Sequence, residues 1–252
     1  MADLCVSLAA VGGAVLLSEA LRRAAARLVP GPGPYWTYLL EAAAAFQLCS
    51  CTHELKLLSE AAPPGLPLGL ALTYVVTAVH LSTFRGAACN PCAALESVCR
   101  GRSGVGAAAV LVACQFAAAV AARFGFRCFD PLGGTLLEAA AAELGCAFAV
   151  QAAAMHAHKL DEKLRVHFIA AVVTALVYAG GGISGAMFNP VLAFSVQFPC
   201  SGHSYLEYGF VYWLGPALGM ASCILLFEKI IPFLSGESAN EPKCSQKWLI
   251  RR

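Results

Sequence analysis

The sequence has few charged residues. Asp, Glu, Lys and Arg make up only 13% of its 252 residues, whereas soluble domains average about 25%. The net charge is +2 and no block of like charge occurs, which argues against a nucleic-acid partner. The sequence also lacks a recognisable nucleophile–base motif and a glycine-rich phosphate loop. It therefore predicts neither an enzyme nor a bound cofactor.

Apolar residues take the place of the missing charges. They make up 59% of the chain, with a mean hydropathy of +0.68, a composition typical of a protein that lies in a lipid bilayer. A helix needs about 20 apolar residues to cross a bilayer. Seven segments approach this length: 4–21, 35–58, 66–83, 104–122, 132–156, 166–181 and 206–233.

The first apolar segment is short enough to be a signal peptide. A signal peptide carries its basic residues before the apolar stretch, whereas Arg22, Arg23 and Arg27 follow this one. This order favours an uncleaved helix, which either crosses the membrane or lies on it. At the other end of the chain, residues 234–252 are polar and predict a tail outside the bilayer.

Two local features occur twice at nearly the same spacing. The heptapeptide Leu-Leu-Glu-Ala-Ala-Ala-Ala stands at 39–45 and 136–142, an offset of 97 residues, and Asn-Pro stands at 90–91 and 189–190, an offset of 99. Such a coincidence predicts two copies of one unit of about 100 residues. The first repeat covers 35–131 and the second 132–233, with the helix at 1–34 outside the repeat and a tail at 234–252.

Each Asn-Pro pair opens an apolar stretch that is too short to cross the membrane. Proline suits the first turn of a helix, so we predict half-helices at 90–99 and 189–198. Three full spans and one half-helix per unit make the number of crossings odd, so the second repeat is inverted. The predicted fold is an all-α membrane protein with six core spans, two re-entrant half-helices and an extra N-terminal helix.

The positions of the basic residues give this layout an orientation. If the first repeat enters from the cytoplasm, only Lys56, Arg123 and Arg127 lie on the opposite face. The cytoplasmic face then holds the other 14 of the 17 Lys and Arg residues. Basic residues concentrate on the cytoplasmic side of membrane proteins, which predicts a cytoplasmic C-terminus.

The half-helix ends predict a site for small neutral solutes. A helix N-terminus carries about half a positive charge, so two facing ends would repel protons and other cations. The Asn90 and Asn189 amides can each donate a hydrogen bond to the oxygen of a passing molecule. The alternative is that both Asn-Pro turns merely cap buried helices. Recurrence of the pair in register with the wider repeat favours the solute site.

The repeated heptapeptide also contains a glutamate in each copy, Glu41 and Glu138. A carboxylate within a membrane span should face the bundle interior. Two roles are open: carrying protons, as in a transporter, or accepting hydrogen bonds from the loops that lead into the half-helices. Symmetric placement favours the second role. Glu143 has no match in the first repeat, and the sequence assigns it no function.

Residues 35–232 resemble the aquaporin, or major intrinsic protein, family. The likeness rests on the early glutamates, on Gly-Ala-Ala-Cys-Asn-Pro at 86–91 and on Ser-Gly-Ala-Met-Phe-Asn-Pro at 184–190. The usual Asn-Pro-Ala triplets are replaced by Asn90-Pro91-Cys92 and Asn189-Pro190-Val191. With a cysteine in the first triplet, the sequence resembles the intracellular superaquaporin branch. That branch also has a cysteine nine residues beyond the second triplet, and Cys200 stands at this position.

The resemblance implies a homotetrameric, passive channel for water, glycerol and hydrogen peroxide in the endoplasmic reticulum membrane. It implies that Leu192 occupies the place of the usual constriction arginine, with Val177, Ala186 and Tyr74 as the other constriction residues. None of these four is charged, which argues against ion conduction. Cys200 would pack, or pair with another thiol, to position the second half-helix.

The residues leave two alternatives to the channel open and argue against a metal site. A proton-coupled secondary transporter also has inverted repeats and buried carboxylates. A non-conducting scaffold derived from a channel would explain why both triplets and the arginine position deviate. Finally, Cys89 and Cys92 have the spacing of zinc ligands, but no second pair stands at a matching distance. We therefore predict no metal site.

Overall fold

A computed structural model describes residues 2–29, 33–123, 133–198 and 204–235. All regular secondary structure in these ranges is helical. The helices are α1 Ala2–Leu28, α2 Pro34–Ala61, α3 Leu66–Thr83, α4 Pro91–Cys99, α5 Val105–Ala122, α6 Leu136–Ala157, α7 Glu162–Ser184, α8 Pro190–Val196 and α9 Tyr205–Leu234. Helix α9 is continuous but contains two π-helical stretches, Gly209–Leu214 and Leu226–Ile230.

Six helices of the described residues are long and apolar enough to cross a membrane, namely α1, α3, α5, α6, α7 and α9. Helix α2 has 28 residues, enough to span, but it carries Glu41, Glu54 and Lys56 and is less apolar. The two remaining helices are short: α4 has 9 residues and α8 has 7. This arrangement confirms the predicted all-helical membrane fold with six core spans, two half-helices and an extra N-terminal helix.

The packing of the helices follows the internal repeat. Helix α2 packs on α5 in the first repeat, and α6 packs on α9 in the second. The two repeats meet where α3 contacts α7 and where the half-helices α4 and α8 contact each other. Helix α1 lies outside this symmetry and packs along α2.

Small residues allow α6 and α9 to approach closely. A Cβ atom added to Gly215 would lie 2.9 Å from the Ala140 carbonyl oxygen, and one added to Gly219 would lie 2.2 Å from the Leu144 carbonyl oxygen. Glycines four residues apart recur where membrane helices are in backbone contact, because packing replaces the hydrophobic effect there. The Gly215/Gly219 pair therefore sets the distance between the helices that flank the second half-helix.

Candidate functional site

The half-helices α4 and α8 begin at the two Asn-Pro pairs. Asn90 and Asn189 are the N-cap residues, each followed by a proline at the first helical position. The Asn90 Oδ1 atom accepts a hydrogen bond from the Cys92 backbone N–H at 3.0 Å, and the Asn189 Oδ1 atom accepts one from Val191 at 3.1 Å. Since the oxygen of each amide caps its own helix, the Nδ2 group points away from it.

The two amide nitrogens then cross to the opposite repeat. The Asn90 Nδ2 group donates to the Phe188 carbonyl oxygen at 3.2 Å, and the Asn189 Nδ2 group donates to the Cys89 carbonyl oxygen at 2.7 Å. Each acceptor is the residue directly before the facing asparagine, so the bonds are reciprocal. The N-termini of the half-helices therefore meet tip to tip, and each Nδ2 group keeps a second hydrogen beyond the crossing bond.

The loops before the asparagines share a left-handed backbone conformation at two equivalent positions. Gly86 and Gly185 have φ of 89° and 83°, and Cys89 and Phe188 have φ of 51° and 37°. A non-glycine residue in this left-handed region is strained by about 1–3 kcal/mol and persists only where surrounding contacts hold it. The strain at Cys89 and Phe188 occurs at the two carbonyl groups that bind the facing amides.

Buried carboxylates hold both strained loops. Glu41 accepts hydrogen bonds from the backbone N–H groups of Ala88 and Cys89, each at 2.8 Å, and from the Gln115 side chain at 2.9 Å. Glu143 accepts from the Met187 N–H at 2.9 Å, from the Phe188 N–H, and from the Ser184 hydroxyl at 2.6 Å. Each carboxylate thus fixes the two residues that precede an asparagine.

The prediction that Glu138 is the buried partner of Glu41 is wrong. Glu138 is exposed and forms a capping box with Thr135 at the start of α6. The identical heptapeptides mark different helix positions: Glu41 and Glu143 are both the eighth residue of their helices, whereas Glu138 is the third. Position in the helix, not identity of the surrounding letters, determines which carboxylate faces the loop.

Two of the four proposed constriction residues, Ala186 and Leu192, are buried in the second half-helix or the loop before it, and the place of Val177 in the constriction stays a prediction. Ala186 is buried with φ of 49° and packs back against Gly180, one turn beyond Val177. Leu192 is 7% exposed and belongs to an apolar cluster with Met187 and Val191. The residues that form this cluster with Leu192 are apolar, and the Arg123 guanidinium lies over the ring of Phe194, which packs against the cluster.

Tyr74 contacts a residue of α7. Its hydroxyl lies 2.7 Å from the Nδ1 atom of His167, and the two rings stack. His167 precedes Val177 by ten residues on α7, which corresponds to about 15 Å along a helix. Tyr74 is thus placed beside His167, and its assignment to the constriction stays a prediction.

Four of the other predicted residues are buried, and one lies outside the residues that the structure describes. Pro91, Cys92, Pro190 and Val191 are buried at the starts of the half-helices. Cys200 lies outside the described residues, so its predicted role stays a prediction.

Sequence analysis missed several supports of α8. The Tyr208 hydroxyl donates to the Pro190 carbonyl oxygen at 2.6 Å, and the Tyr212 hydroxyl donates to the Ser184 carbonyl oxygen at 2.7 Å. The Arg123 guanidinium donates to the Phe194 and Phe198 carbonyl oxygens at the C-terminal end of α8, where a cation is favourable. Their spacing in the sequence carries no signal, since Tyr208 and Arg123 reach α8 from other parts of the chain and Tyr212 supports it only through the end of α7.

Two half-helices that meet at Asn-Pro caps are the feature to compare with known proteins. No protein-family model matches the chain, but curated relatives do. Human aquaporin-11 is 36% identical over 250 residues, covering 92% of each chain. The chain belongs to the aquaporin family. Horse aquaporin-11 is also 36% identical, with 93% of each chain covered, and mouse aquaporin-12 is 31% identical, covering 93% of this chain and 89% of its own.

These relatives confirm the resemblance to the superaquaporin branch. Together with the apolar helices, they show that this aquaporin is a multi-pass membrane protein from a family of channels for small solutes. The relatives align over nearly the whole chain, including both Asn-Pro regions.

Proposed function

We propose that this aquaporin is a passive channel, and not an enzyme, that conducts water, glycerol and hydrogen peroxide. Its site would be the meeting point of α4 and α8, and one observation carries the proposal. The Asn90 and Asn189 amides donate to each other's loops and retain one free hydrogen each. Two fixed donors side by side suit the oxygen of a small neutral solute.

The electrostatics of the site favour neutral solutes. Both half-helix N-termini point at the same place, and their partial positive charges add there. Leu192, Ala186 and Val177 supply no countercharge. A cation would meet the field of two helix ends in a low-dielectric setting, which is a large barrier. A neutral molecule with an oxygen acceptor would not meet this electrostatic barrier.

Proton coupling has less support. Glu41 and Glu143 are the buried carboxylates near the site, and each accepts at least two backbone hydrogen bonds. Protonation would remove acceptor capacity from oxygens that hold strained loops. Hydrogen bonding to the loops therefore accounts for both glutamates without a role in proton transfer.

We further propose that the C-terminus is cytoplasmic, that the protein resides in the endoplasmic reticulum membrane and that it forms a homotetramer. Contacts between basic segments support the orientation. Glu19 of α1 pairs with both Arg23 and Arg85, and Glu228 near the end of α9 pairs with Arg100. The ends of α1 and α3 therefore lie on one side, as the positive-inside rule requires. The membrane and the oligomeric state rest on the family likeness.

Reconstitution tests the proposed conduction. Purified protein in liposomes should raise the rate of shrinkage under a water gradient, and of reswelling under a glycerol gradient, above that of empty vesicles. Light scattering measures both rates. Rates equal to those of empty vesicles, with folded and incorporated protein, would contradict a channel and favour a scaffold. Uptake that saturates and follows a pH gradient would favour a transporter.

Replacing Leu192 with arginine tests the constriction. Leu192→Arg adds a long, charged donor where an isobutyl group now stands, and should narrow and polarise the passage. We expect glycerol flux to fall by about tenfold and water flux by less, because glycerol is the larger molecule. A tenfold fall corresponds to a rise of about 1.4 kcal/mol in the free-energy barrier to passage. Leu192→Met is the control of similar volume. An unchanged glycerol-to-water ratio would show that the side chain at 192 does not line the passage.

A further inference from the structure

The N-terminal helix carries a buried arginine that the proposed function does not use. Arg22 is 1% exposed, whereas the side chain of its neighbour Arg23 is 70% exposed. Its Nε atom donates to Glu19 at 3.1 Å, and its Nη2 atom donates to the Gln47 side-chain oxygen on α2 at 2.8 Å. Charged residues inside membrane spans are rare and face partners with a function. The question is what Arg22 holds in place.

The contacts of Arg22 and Glu19 lead to the first strained loop. Gln47, which binds Arg22, also donates a hydrogen bond from its Nε2 group to the Thr83 hydroxyl at 2.9 Å. Thr83 is the last residue of α3. Glu19 accepts from the Arg85 guanidinium at 2.6 Å. Helix α1 therefore contacts Arg85 directly and is linked to Thr83 only through Gln47 of α2. These two residues stand on either side of Phe84, where the loop 84–90 begins.

The second loop has an equivalent support, but from a different source. It begins after Ser184, whose carbonyl oxygen accepts the Tyr212 hydroxyl at 2.7 Å. Tyr212 belongs to α9, a helix of the same repeat. In the first repeat, the corresponding end of α3 is tied through Gln47 to α1, which stands outside the repeat. The extra helix therefore adds two contacts to the first loop's support: Arg22 binds Gln47, and Glu19 binds Arg85.

We propose that Arg22 and Glu19 are positioning residues that hold the loop 84–90, and through it the N-terminus of α4. Helix α1 is then a structural part of the first half-site and not only a membrane anchor. This inference goes beyond the proposed function, because it concerns the placement of a loop and does not depend on which solute passes.

Cys89 offers a direct readout of that placement. It is fully buried in a cluster with Ala44, Ala45 and Ala118, and the loop residues Phe84 and Ala87 pack on the same cluster. A loop released at its start would open this cluster intermittently and expose the Cys89 thiol. Labelling of a buried thiol follows the fraction of molecules in which the local structure is open.

The experiment compares Arg22→Met with the unmodified full-length chain in detergent. The samples are treated with N-ethylmaleimide, and mass spectrometry measures the labelling rate of each cysteine. We expect the Cys89 rate to rise about tenfold, because the Arg22 connection to Gln47 and Thr83 is lost. Cys146, buried on α6 in the second repeat, should keep its rate. An unchanged Cys89 rate, or an equal rise at Cys146, would overturn the proposal.

Arg23→Met is the matched control. Arg23 is also bound to Glu19, but its side chain is 70% exposed and makes no contact with Gln47 in the described structure. Its loss should leave Cys89 protected, and a rise as large as that of Arg22→Met would contradict a specific path. If Arg22→Met does not fold, Glu19→Gln decides the question, since it weakens the link to Arg85 without changing side-chain shape. No rise at Cys89 in that variant would also overturn the proposal.

Discussion

The Glu143→Ala variant should yield little folded protein, whereas the Glu138→Ala variant should be nearly as stable as the unmodified chain. Removing the Glu143 carboxylate leaves three donors without their acceptor: the buried Met187 N–H and Ser184 hydroxyl, and the part-buried Phe188 N–H. Each unsatisfied buried donor costs about 1–3 kcal/mol. The total is comparable with the whole stability of a typical protein domain, about 5–15 kcal/mol.

The two glutamates form a matched pair for this experiment, because they lie five residues apart on the same helix. Glu138 contributes a capping box at an exposed helix end, and losing a cap costs about 1 kcal/mol. The fraction of monodisperse protein after heating in detergent, measured by size-exclusion chromatography, checks the prediction. Equal losses in both variants, or a larger loss for Glu138→Ala, would contradict the assignment of Glu143 as the loop support. Glu41→Ala should resemble Glu143→Ala, since Glu41 holds the other loop.

Gly219→Ala should separate α9 from α6. The added Cβ atom would lie 2.2 Å from the Leu144 carbonyl oxygen and 3.0 Å from both the Leu144 carbonyl carbon and the Phe148 nitrogen. All three are backbone atoms, which cannot rotate away. Overpacking typically lowers the free energy of unfolding by about 1–3 kcal/mol. Because the clash is with backbone atoms, we expect Gly219→Ala to lower it by about 3 kcal/mol or more.

Gly145→Ala is the control for this substitution. Gly145 follows Leu144 on α6, and a Cβ atom there would meet nothing within 4 Å. Because alanine favours helix over glycine by about 1 kcal/mol, Gly145→Ala should be neutral or stabilising. The midpoint of thermal unfolding in detergent measures both variants. A Gly219→Ala protein as stable as the Gly145→Ala protein would show that the close approach of α6 and α9 does not occur.

Local chemistry made much of the helix pattern readable from the sequence. The predicted span 66–83 coincides with α3, Leu66–Thr83, because prolines and glycines bound the apolar run before it and a Gly-containing loop follows. Helix α7 begins at Glu162, earlier than the predicted 166, because its first turn is charged and is not counted by hydropathy. Similarly, Asn90 and Asn189 cap their helices with their own side chains, so the half-helix starts were local features.

Contacts between distant residues were not readable in this way. The all-helical membrane fold, the internal duplication and the two Asn-Pro half-helix starts could be predicted from the sequence, because they depend on composition, period and residues adjacent in the chain. Three contacts emerged from the folded structure alone: Glu143, and not Glu138, holds the second loop, Tyr74 pairs with His167, and Glu19 of α1 binds Arg85 in the first loop. Those contacts depend on where a residue stands in its helix and on how far one helix slides along another, and identical letters do not encode either quantity.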